Sequence, residues 1–308
     1  MSTTASAAPP RVRRSHPAVW IALAGVIVGL VVAGTGGALG HNRLLFAAGG
    51  FLSCGAALVA AGVSLHRLLA VGSLTGRRAA TWLGVASGVL AFVVALVVEL
   101  SAGHIPGFLG STEGSFVLAG PIEEAMKLAL PLILLAAGPR ILREPRLGVW
   151  MVFVSAALFG VVEGTMYVAN EAIPSASSSA GAATQADADA IIAVLGPVLT
   201  TLERTVVELM HPFITVGAAA LIWLAVSRRR SVAAWIIGAF LVAAALHSFN
   251  DAVIGGPWLR AVNAYLPLLA NSLFVLLVYL LWYRPQVRRT IPAELAAANP
   301  KRWRPTPA

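Results

Sequence analysis

Apolar runs of membrane-spanning length follow one another along most of this chain. Hydrophobic residues make up 58% of its 308 positions and charged residues 11%, whereas charged residues make up about 25% of a typical soluble domain. A helix needs about 20 apolar residues to cross the hydrocarbon core of a bilayer. Eight runs of this length predict an all-α, polytopic membrane helix bundle. Their bounds are 17–39, 44–66, 79–102, 114–137, 147–170, 191–227, 231–254 and 260–283.

The sixth run is too long for one straight crossing helix. Pro197 and Pro212 lie inside it, and a proline inside a helix removes one backbone hydrogen bond. Irregular backbone at membrane depth is tolerated where it lines a wet cavity. We therefore expect the prolines to interrupt this run and its first part to be re-entrant or tilted.

The basic residues predict how the bundle is oriented. With the N-terminus in the cytoplasm, 18 of the 22 lysines and arginines fall in tails and loops on that side, and only Arg43 and Arg260 fall in loops on the other side. Loops rich in lysine and arginine stay cytoplasmic. We therefore expect both termini in the cytoplasm, at a plasma membrane of the bacterial type. A nucleic-acid-binding protein would gather its basic residues on one folded domain, and this distribution argues against that class.

Little of the chain lies outside the predicted membrane domain, residues 17–283. Residues 1–16 are rich in Ser, Ala, Pro and Arg, and we expect a disordered cytoplasmic tail there. Residues 172–189 read as a low-complexity outer loop. Residues 284–308 read as a basic cytoplasmic tail suited to anionic lipid headgroups. Cys54 is the only cysteine, so the chain has no intramolecular disulfide.

Ionisable residues inside the apolar runs are where function is expected. The run 114–137 contains Glu123, Glu124 and Lys127, although an ionisable group at bilayer depth costs about 2.5–3.5 kcal/mol on insertion scales. Such residues are rare in membrane helices and usually functional. The next three runs add further polar and ionisable residues: Glu163, Arg204, Glu208, His211, His247, Asn250 and Asp251.

Four of these residues fall at one level of the bilayer. Each lies 14 to 16 residues from the cytoplasmic end of its run, which is roughly 21–24 Å at 1.5 Å per residue. A depth shared by four helices predicts one polar site in the outer half of the membrane. The four are Glu123, Glu163, His211 and His247.

Helical spacing also places several of these side chains on common faces. Lys127 follows Glu123 by four residues and Glu124 by three, so it can reach either acid. A carboxylate beside a histidine fixes the orientation of the imidazole. Two further sets share a face: His247 with Asn250 and Asp251, and His211 with Arg204 and Glu208.

Paired glutamates and histidines in a partly dry site are suited to amide hydrolysis. A carboxylate can act as general base for water, and a histidine or an asparagine can donate to the oxyanion of a tetrahedral intermediate. The same residue types bind zinc, and a metal set would consist of Glu123, Glu163, His211 and His247. The absence of a His-x-x-x-His spacing and the charge of Lys127 favour a mechanism without a metal.

Two other functional classes use polar residues inside a membrane. Acids and histidines at bilayer depth also build proton relays, so a proton-coupled transporter or channel is the main alternative. The chain contains no evident inverted repeat of the kind that many transporters have. A non-catalytic membrane scaffold is the third reading.

The ordered motifs resemble those of the PrsW family of intramembrane proteases, a relative of the CAAX-processing and bacteriocin-protection proteases. The resemblance covers about residues 115–255, and Gly164 stands where we expect asparagine. Its motifs are Glu123-Glu124-x-x-Lys127, Phe159-x-x-x-Glu163, His211 in the following helix, and His247-x-x-Asn250-Asp251.

The resemblance implies an integral-membrane endopeptidase with the glutamate pair at its catalytic core. The implied substrate is a membrane-anchored protein with a single span, such as an anti-sigma factor, cut in regulated proteolysis. In this resemblance Glu123 is the general base, and Glu124, paired with Lys127, supports it. His211 and His247 contact the water or the oxyanion, and Asn250 or Asp251 orients His247. Glu163 contacts the reacting centre.

Overall fold

The chain folds into a bundle of α-helices. The computed structural model describes residues 17–40, 42–102, 104, 112–171, 183–228, 230–251 and 265–298. Regular structure in these ranges is helical throughout, which confirms the predicted all-α class. A π-helical turn, Tyr279–Tyr283, joins the eighth helix to the ninth. The described α-helices are α1 Pro17–Ala38, α2 Arg43–Leu68, α3 Arg77–Ala102, α4 Thr112–Ala137, α5 Pro145–Glu171, α6 Ala183–Ser227, α7 Val232–Asp251, α8 Tyr265–Val278, α9 Arg284–Arg289 and α10 Ala293–Ala298.

Six of the described helices are long and apolar enough to cross a membrane. α4 also has 26 residues, but three charged residues interrupt its apolar sequence, and α8 has 14 residues before the π-helical turn. The protein is therefore a multi-pass membrane protein, while eight crossing helices and two cytoplasmic termini stay predictions. The six candidate spans are Val19–Ala38, Arg43–Leu68, Arg77–Ser101, Pro145–Asn170, Ala193–Ser227 and Val232–Asp251.

α6 differs from its prediction because its prolines do not break it. The helix runs through Pro197 and Pro212 for 45 residues, so the expected interruption is wrong, while a tilt of its first part stays a prediction. The hydroxyl of Thr201 donates to the carbonyl of Pro197, and that of Thr205 donates to the carbonyl of Thr201, each at 2.7 Å. α6 also packs against α1, α2, α5, α7 and α8. Packing along so much of its length stabilises a helix that the prolines alone would weaken.

Several other boundaries also shift. α6 begins at Ala183, so the last part of the predicted outer loop 172–189 is helical. The final helix continues past residue 283 to Arg289, and α10 follows within the predicted tail. The remaining parts of the predicted tails, loop and last two spans lie outside the described residues: 1–16, 172–182, 252–254, 260–264 and 299–308.

The arginine-rich connections meet at one end of the bundle. Arg146 at the start of α5 donates to the carbonyl of Leu69 just after α2, at 3.4 Å. Trp223 near the end of α6 donates to the carbonyl of Leu142, between α4 and α5, at 2.9 Å. A common end is what the predicted orientation requires. We call it the arginine end, and it is marked by Arg67, Arg140, Arg228 and Arg284.

The main apolar core lies towards the arginine end and leaves the polar residues to the other half. Trp223 of α6 and Tyr283 of the π-helical turn are both fully buried there. Trp223 lies directly over Gly148 of α5, and Tyr283 lies over Gly217 of α6. A side chain at either glycine would clash with the ring, so these glycines set how closely the helices approach.

Thiol labelling tests the predicted orientation. In a Cys54→Ser background, we expect Ser101→Cys, at the end of α3, to react with an impermeant reagent added outside intact cells. Ser231→Cys, between α6 and α7, should react only after the membrane is opened, because both serines are exposed but at opposite ends of the bundle. Reaction of both positions from outside would rule out the eight-helix topology.

Candidate active site

Three charged residues of α4 form the centre of the polar site. Glu123, Glu124 and Lys127 are buried, with at most 2% of each residue exposed. Because they lie three and four residues apart, one helical turn brings them together. Lys127 Nζ is 2.8 Å from Glu123 Oε2 and 3.3 Å from Glu124 Oε1. The lysine therefore contacts both acids, where the spacing left the choice open.

Two prolines shape α4 around this group. Pro121 lacks an N–H, so the carbonyl of Val117, four residues earlier, loses its helical partner. Ser248 of α7 donates to that carbonyl at 3.0 Å. In the same way, Ser155 of α5 donates at 3.3 Å to the carbonyl of Lys127, which the second proline of α4 frees. The freed carbonyls thereby anchor α4 to both neighbours and orient its acidic face.

His247 of α7 bridges the two glutamates of α4. Its Nδ1 is 2.8 Å from Glu124 Oε1, and its Nε2 is 3.4 Å from Glu123 Oε2. Asp251, one turn further along α7, lies 3.1 Å from Nε2. The contact with Asp251 was predicted from the spacing, but the contact with Glu124 was not. Three carboxylates thus hold the ring of a fully buried histidine.

His211 of α6 occupies the other side of Lys127. Its Nδ1 is 2.7 Å from Lys127 Nζ. Its Nε2 is 2.9 Å from Glu208 Oε2 and 3.1 Å from Glu163 Oε2. An ammonium group only donates hydrogen bonds, so Nδ1 accepts and Nε2 carries the proton towards the two carboxylates. The contacts of the two ring nitrogens therefore assign this tautomer.

The four residues predicted at one level are brought together by four helices. Glu123 Oε2 lies 3.6 Å from His211 Nδ1 as well as close to His247. The two imidazole rings have centroids 4.7 Å apart and meet edge to face. Glu163 joins the cluster through His211. The site therefore contains Glu123 between two histidines, buried inside the apolar helix bundle.

Gly164 explains how Glu208 enters the cluster. A Cβ added at Gly164 would lie 2.6 Å from Glu208 Cγ and 2.9 Å from Cys54 Sγ. The missing side chain therefore makes room for a carboxylate from α6. The departure from asparagine at position 164 is matched by the presence of Glu208 in the same space.

Carboxylates exceed cations in this cluster. Five acids, from Glu123 to Asp251, lie within contact of His211, His247 or Lys127. Among the described residues, Glu163 Oε2 and both carboxylate oxygens of Glu208 are buried without a hydrogen-bond partner of good geometry. Buried charges are normally paired or coordinate a metal. The excess of carboxylates is therefore suited to a bound cation.

Two overlapping sets of side chains have donor atoms close enough to hold such a cation. Within each set, the ligand atoms lie within 4.8 Å of one another. The predicted metal set is thus split in two, with His211 common to both. Oxygen and imidazole donors of this kind suit zinc. The sets are Glu123 with His211 and His247, and Glu163 with Glu208 and His211.

Polar residues from α6 and α8 support the cluster, and sequence reasoning missed them. Thr215, one turn after His211, lies 2.8 Å from Glu124 Oε2. Ser272 of α8 donates at 3.0 Å to Asn250 Oδ1, and Asn250 Nδ2 donates at 3.2 Å to Asp251 Oδ1. Asn250 therefore positions Asp251, which in turn contacts the histidine. Ser272 could have been noticed as a polar residue in the apolar sequence of α8.

Arg204 lies one turn before Glu208 on α6, next to α5. Its guanidinium carbon is 3.7 Å from the centroid of the Tyr167 ring, a cation–π geometry. Tyr167 follows Glu163 by one turn. The predicted supporting residue thus flanks the cluster, and Tyr167 is a neighbour that sequence reasoning missed.

Comparison with known proteins identifies the family. The family model for PrsW family intramembrane metalloproteases matches residues 76–282, about two thirds of the chain. That range contains every residue of the cluster described above. No significant match was found among curated proteins or among solved structures. With the family model covering most of the chain and all of the polar cluster, this protein belongs to the PrsW family of intramembrane metalloproteases.

Proposed function

We propose that this chain cuts a single-span, membrane-anchored protein by glutamate-activated water, in a plasma membrane of the bacterial type. The carrying observation is the position of Glu123 between His211 and His247 in the interior of an apolar bundle. A regulatory protein of the anti-sigma-factor kind is the substrate class that the family resemblance favours. The family establishes the broader activity, intramembrane proteolysis.

The contacts of the two glutamates distinguish their proposed roles. Glu124 is engaged by three groups: Lys127 Nζ and His247 Nδ1 at one oxygen, and the Thr215 hydroxyl at the other. Glu123 contacts the lysine through Oε2 and faces both histidines with the same oxygen. We assign Glu124 to positioning His247, and Glu123 to the reaction.

The proposed reaction begins when Glu123 takes a proton from a water molecule. The water oxygen attacks the carbonyl carbon of the scissile peptide and gives a tetrahedral oxyanion. His247, when protonated, can donate from Nε2, which has no well-aligned hydrogen-bond partner among the described residues. The C–N bond then breaks, and the proton held by Glu123 moves to the departing nitrogen.

Of the two candidate metal sets, we favour Glu163 with Glu208 and His211. The unpartnered carboxylate oxygens belong to this set, whereas Lys127 already contacts Glu123 and His211 Nδ1 in the other. A divalent cation held there would bind His211 Nε2 in place of its proton, acidify a bound water and polarise the substrate carbonyl. The preference for a metal-free site drawn from the sequence gives way to the carboxylate excess and to the family's description as metalloproteases.

Elemental analysis tests the metal assignment. We expect about one zinc per chain in protein purified without chelators, because the three donors form a compact set. Glu208→Gln should lower the bound metal at least tenfold, in line with the loss of a ligand. Glu294→Gln, an exposed glutamate of α10, is the matched control and should keep it. Full activity in metal-free protein would overturn the assignment.

The depth of the cluster predicts where the substrate is cut. By helix rise, the site lies roughly 21–24 Å from the inner boundary, hence about 6–9 Å below the outer edge of a core about 30 Å thick. A substrate helix must unwind before attack, because its amides are paired internally, and unwinding is easiest near a helix end. We expect cleavage at the outer end of the partner's span.

Mapping of new protein N-termini tests the proposed activity and the predicted position together. Membranes containing the protein are compared with membranes containing the Glu123→Gln variant, and the cleaved ends are sequenced by mass spectrometry. Cuts at the outer end of single spans, absent in the variant, are the expected result. Cuts at the cytoplasmic end would contradict the depth or the orientation, and identical N-termini in both membranes would contradict the proposed activity.

A further inference from the structure

A cavity lies between α2, α5, α6 and the segment from the π-helical turn to α9, and none of its lining residues belongs to the active-site cluster. Its volume is about 620 Å³, within the range of ligand pockets. It lies against the face of α6 that carries Phe213 and Val216, whereas His211 and Thr215 point to the catalytic cluster from the other side. Most of its wall is apolar and is formed by Ala61, Leu65, Phe153, Phe213, Val216 and Leu280.

The basic residues that line this cavity belong to the arginine end. Arg67, near the end of α2, and Arg284, at the start of α9, both line it. Ser64 and Tyr279 are its other polar lining residues, and none of the described lining residues is acidic. An apolar chamber with two guanidinium groups at one end is complementary to a molecule with an anionic head and a hydrocarbon tail.

The π-helical turn forms one wall of the cavity. Tyr279 and Leu280, its first two residues, line the chamber. The Tyr279 ring stacks on Phe213 of α6, with centroids 4.6 Å apart. π-helical turns inside α-helices occur frequently at functional sites. The irregular turn therefore shapes the cavity at the point where the final helix meets α6.

We propose that this cavity binds one anionic phospholipid, with an acyl chain in the apolar chamber and its phosphate between Arg67 and Arg284. Guanidinium groups bind phosphate oxygens in pairs. Basic pockets between membrane helices on the cytoplasmic side are known to take anionic headgroups. The site differs from the general attraction of a basic tail to the membrane surface, because it holds an acyl chain between helices.

The charge of the chain's own C-terminal residues argues against these residues as the occupant of the cavity. Residues 299–308 contain Lys301, Arg302 and Arg304 and no acid. Arg67 and Arg284, which line the cavity, would repel such a segment. The phosphate of an anionic phospholipid has the opposite charge and is attracted by the same two arginines.

Native mass spectrometry of the full chain released from nanodiscs tests the headgroup preference. The probes are phosphatidylglycerol and phosphatidylcholine with identical acyl chains. We expect one phosphatidylglycerol to be retained at least tenfold better than phosphatidylcholine. The double substitution Arg67→Gln with Arg284→Gln should remove that preference, and the pair Arg67→Lys with Arg284→Lys should keep part of it.

Matched controls separate a built site from surface charge. Arg78→Gln with Arg140→Gln removes the same charge at the arginine end, outside the cavity lining, and should change retention less than twofold. Equal loss in both pairs, or equal retention of the two lipids, would overturn the proposal.

A second pair of variants keeps the charge and changes only the space. Ala61→Trp fills the chamber and should lower retention of phosphatidylglycerol at least fivefold. Val59→Trp, on the same helix and 58% exposed, adds the same side chain outside the cavity and should have no effect. Unchanged binding in a folded Ala61→Trp protein, checked by its unfolding temperature, would exclude the cavity as the site.

Discussion

Replacing Glu123 by glutamine is expected to lower the rate of substrate cleavage by about 10²–10⁴-fold, the usual contribution of a general base. Glutamine has nearly the same shape, but it cannot take a proton from water. Lys127 keeps a carboxylate partner in Glu124 at 3.3 Å, so the bundle should insert and fold as before. The rate is measured in proteoliposomes with a substrate found by N-terminal mapping.

The control for this prediction is a carboxylate outside the cluster. Glu294→Gln removes an exposed acid of α10 and should cleave at the normal rate. Retained cleavage in Glu123→Gln would transfer the role of base to Glu124. Retained cleavage in Glu124→Gln as well would end the glutamate hypothesis. If the protein were a transporter, neither the unchanged protein nor Glu123→Gln would give cleavage products, and Glu123→Gln would lose proton flux.

The level of the site could be predicted because it depends only on local geometry. Counting residues from the ends of four apolar runs needs the helix rise and nothing else. The same is true of the reach of Lys127 to either glutamate, which follows from spacings of three and four residues. These features are fixed within single helices, so the sequence was sufficient for them.

Contacts between helices could not be predicted in this way. Glu124 and His247 are 123 residues apart, and their 2.8 Å contact depends on how α4 and α7 are rotated and spaced. Ser248 contributes to that rotation by binding a carbonyl that a proline frees. The proline was visible in the sequence. The serine that donates to the carbonyl freed by this proline could not be identified from the sequence.

α6 illustrates a local rule that tertiary packing overrides. Prolines at 197 and 212 predict interruption when the helix is considered alone. In the bundle, α6 packs against most of the other described α-helices, and the threonine hydroxyls that follow Pro197 donate to backbone carbonyls of the same helix. The expected break would have separated His211 from Thr215, which instead supports Glu124 from the same continuous face.

Replacing Lys127 by methionine is expected to destabilise the folded bundle by about 3–5 kcal/mol, the range for removing one partner of a buried ion pair. The ammonium group is fully buried and lies 2.8 Å from Glu123 and 3.3 Å from Glu124. Methionine fills a similar volume but leaves both acids without their shared cation. Unfolding in detergent micelles, followed by differential scanning fluorimetry and by denaturant titration, measures the loss.

A double substitution shows whether charge is the cause. Lys127→Met combined with Glu123→Gln removes the cation together with its nearer acid, and should recover part of the lost stability because one fewer carboxylate is left uncompensated. Arg289→Met, at an exposed position of α9, removes a surface charge and should change stability by less than about 0.5 kcal/mol. If the two cluster substitutions destabilise additively, Lys127 does not stabilise Glu123 electrostatically. Recovery in the double variant would instead identify Lys127 as the charge that allows two adjacent acids to stay buried at the centre of the site.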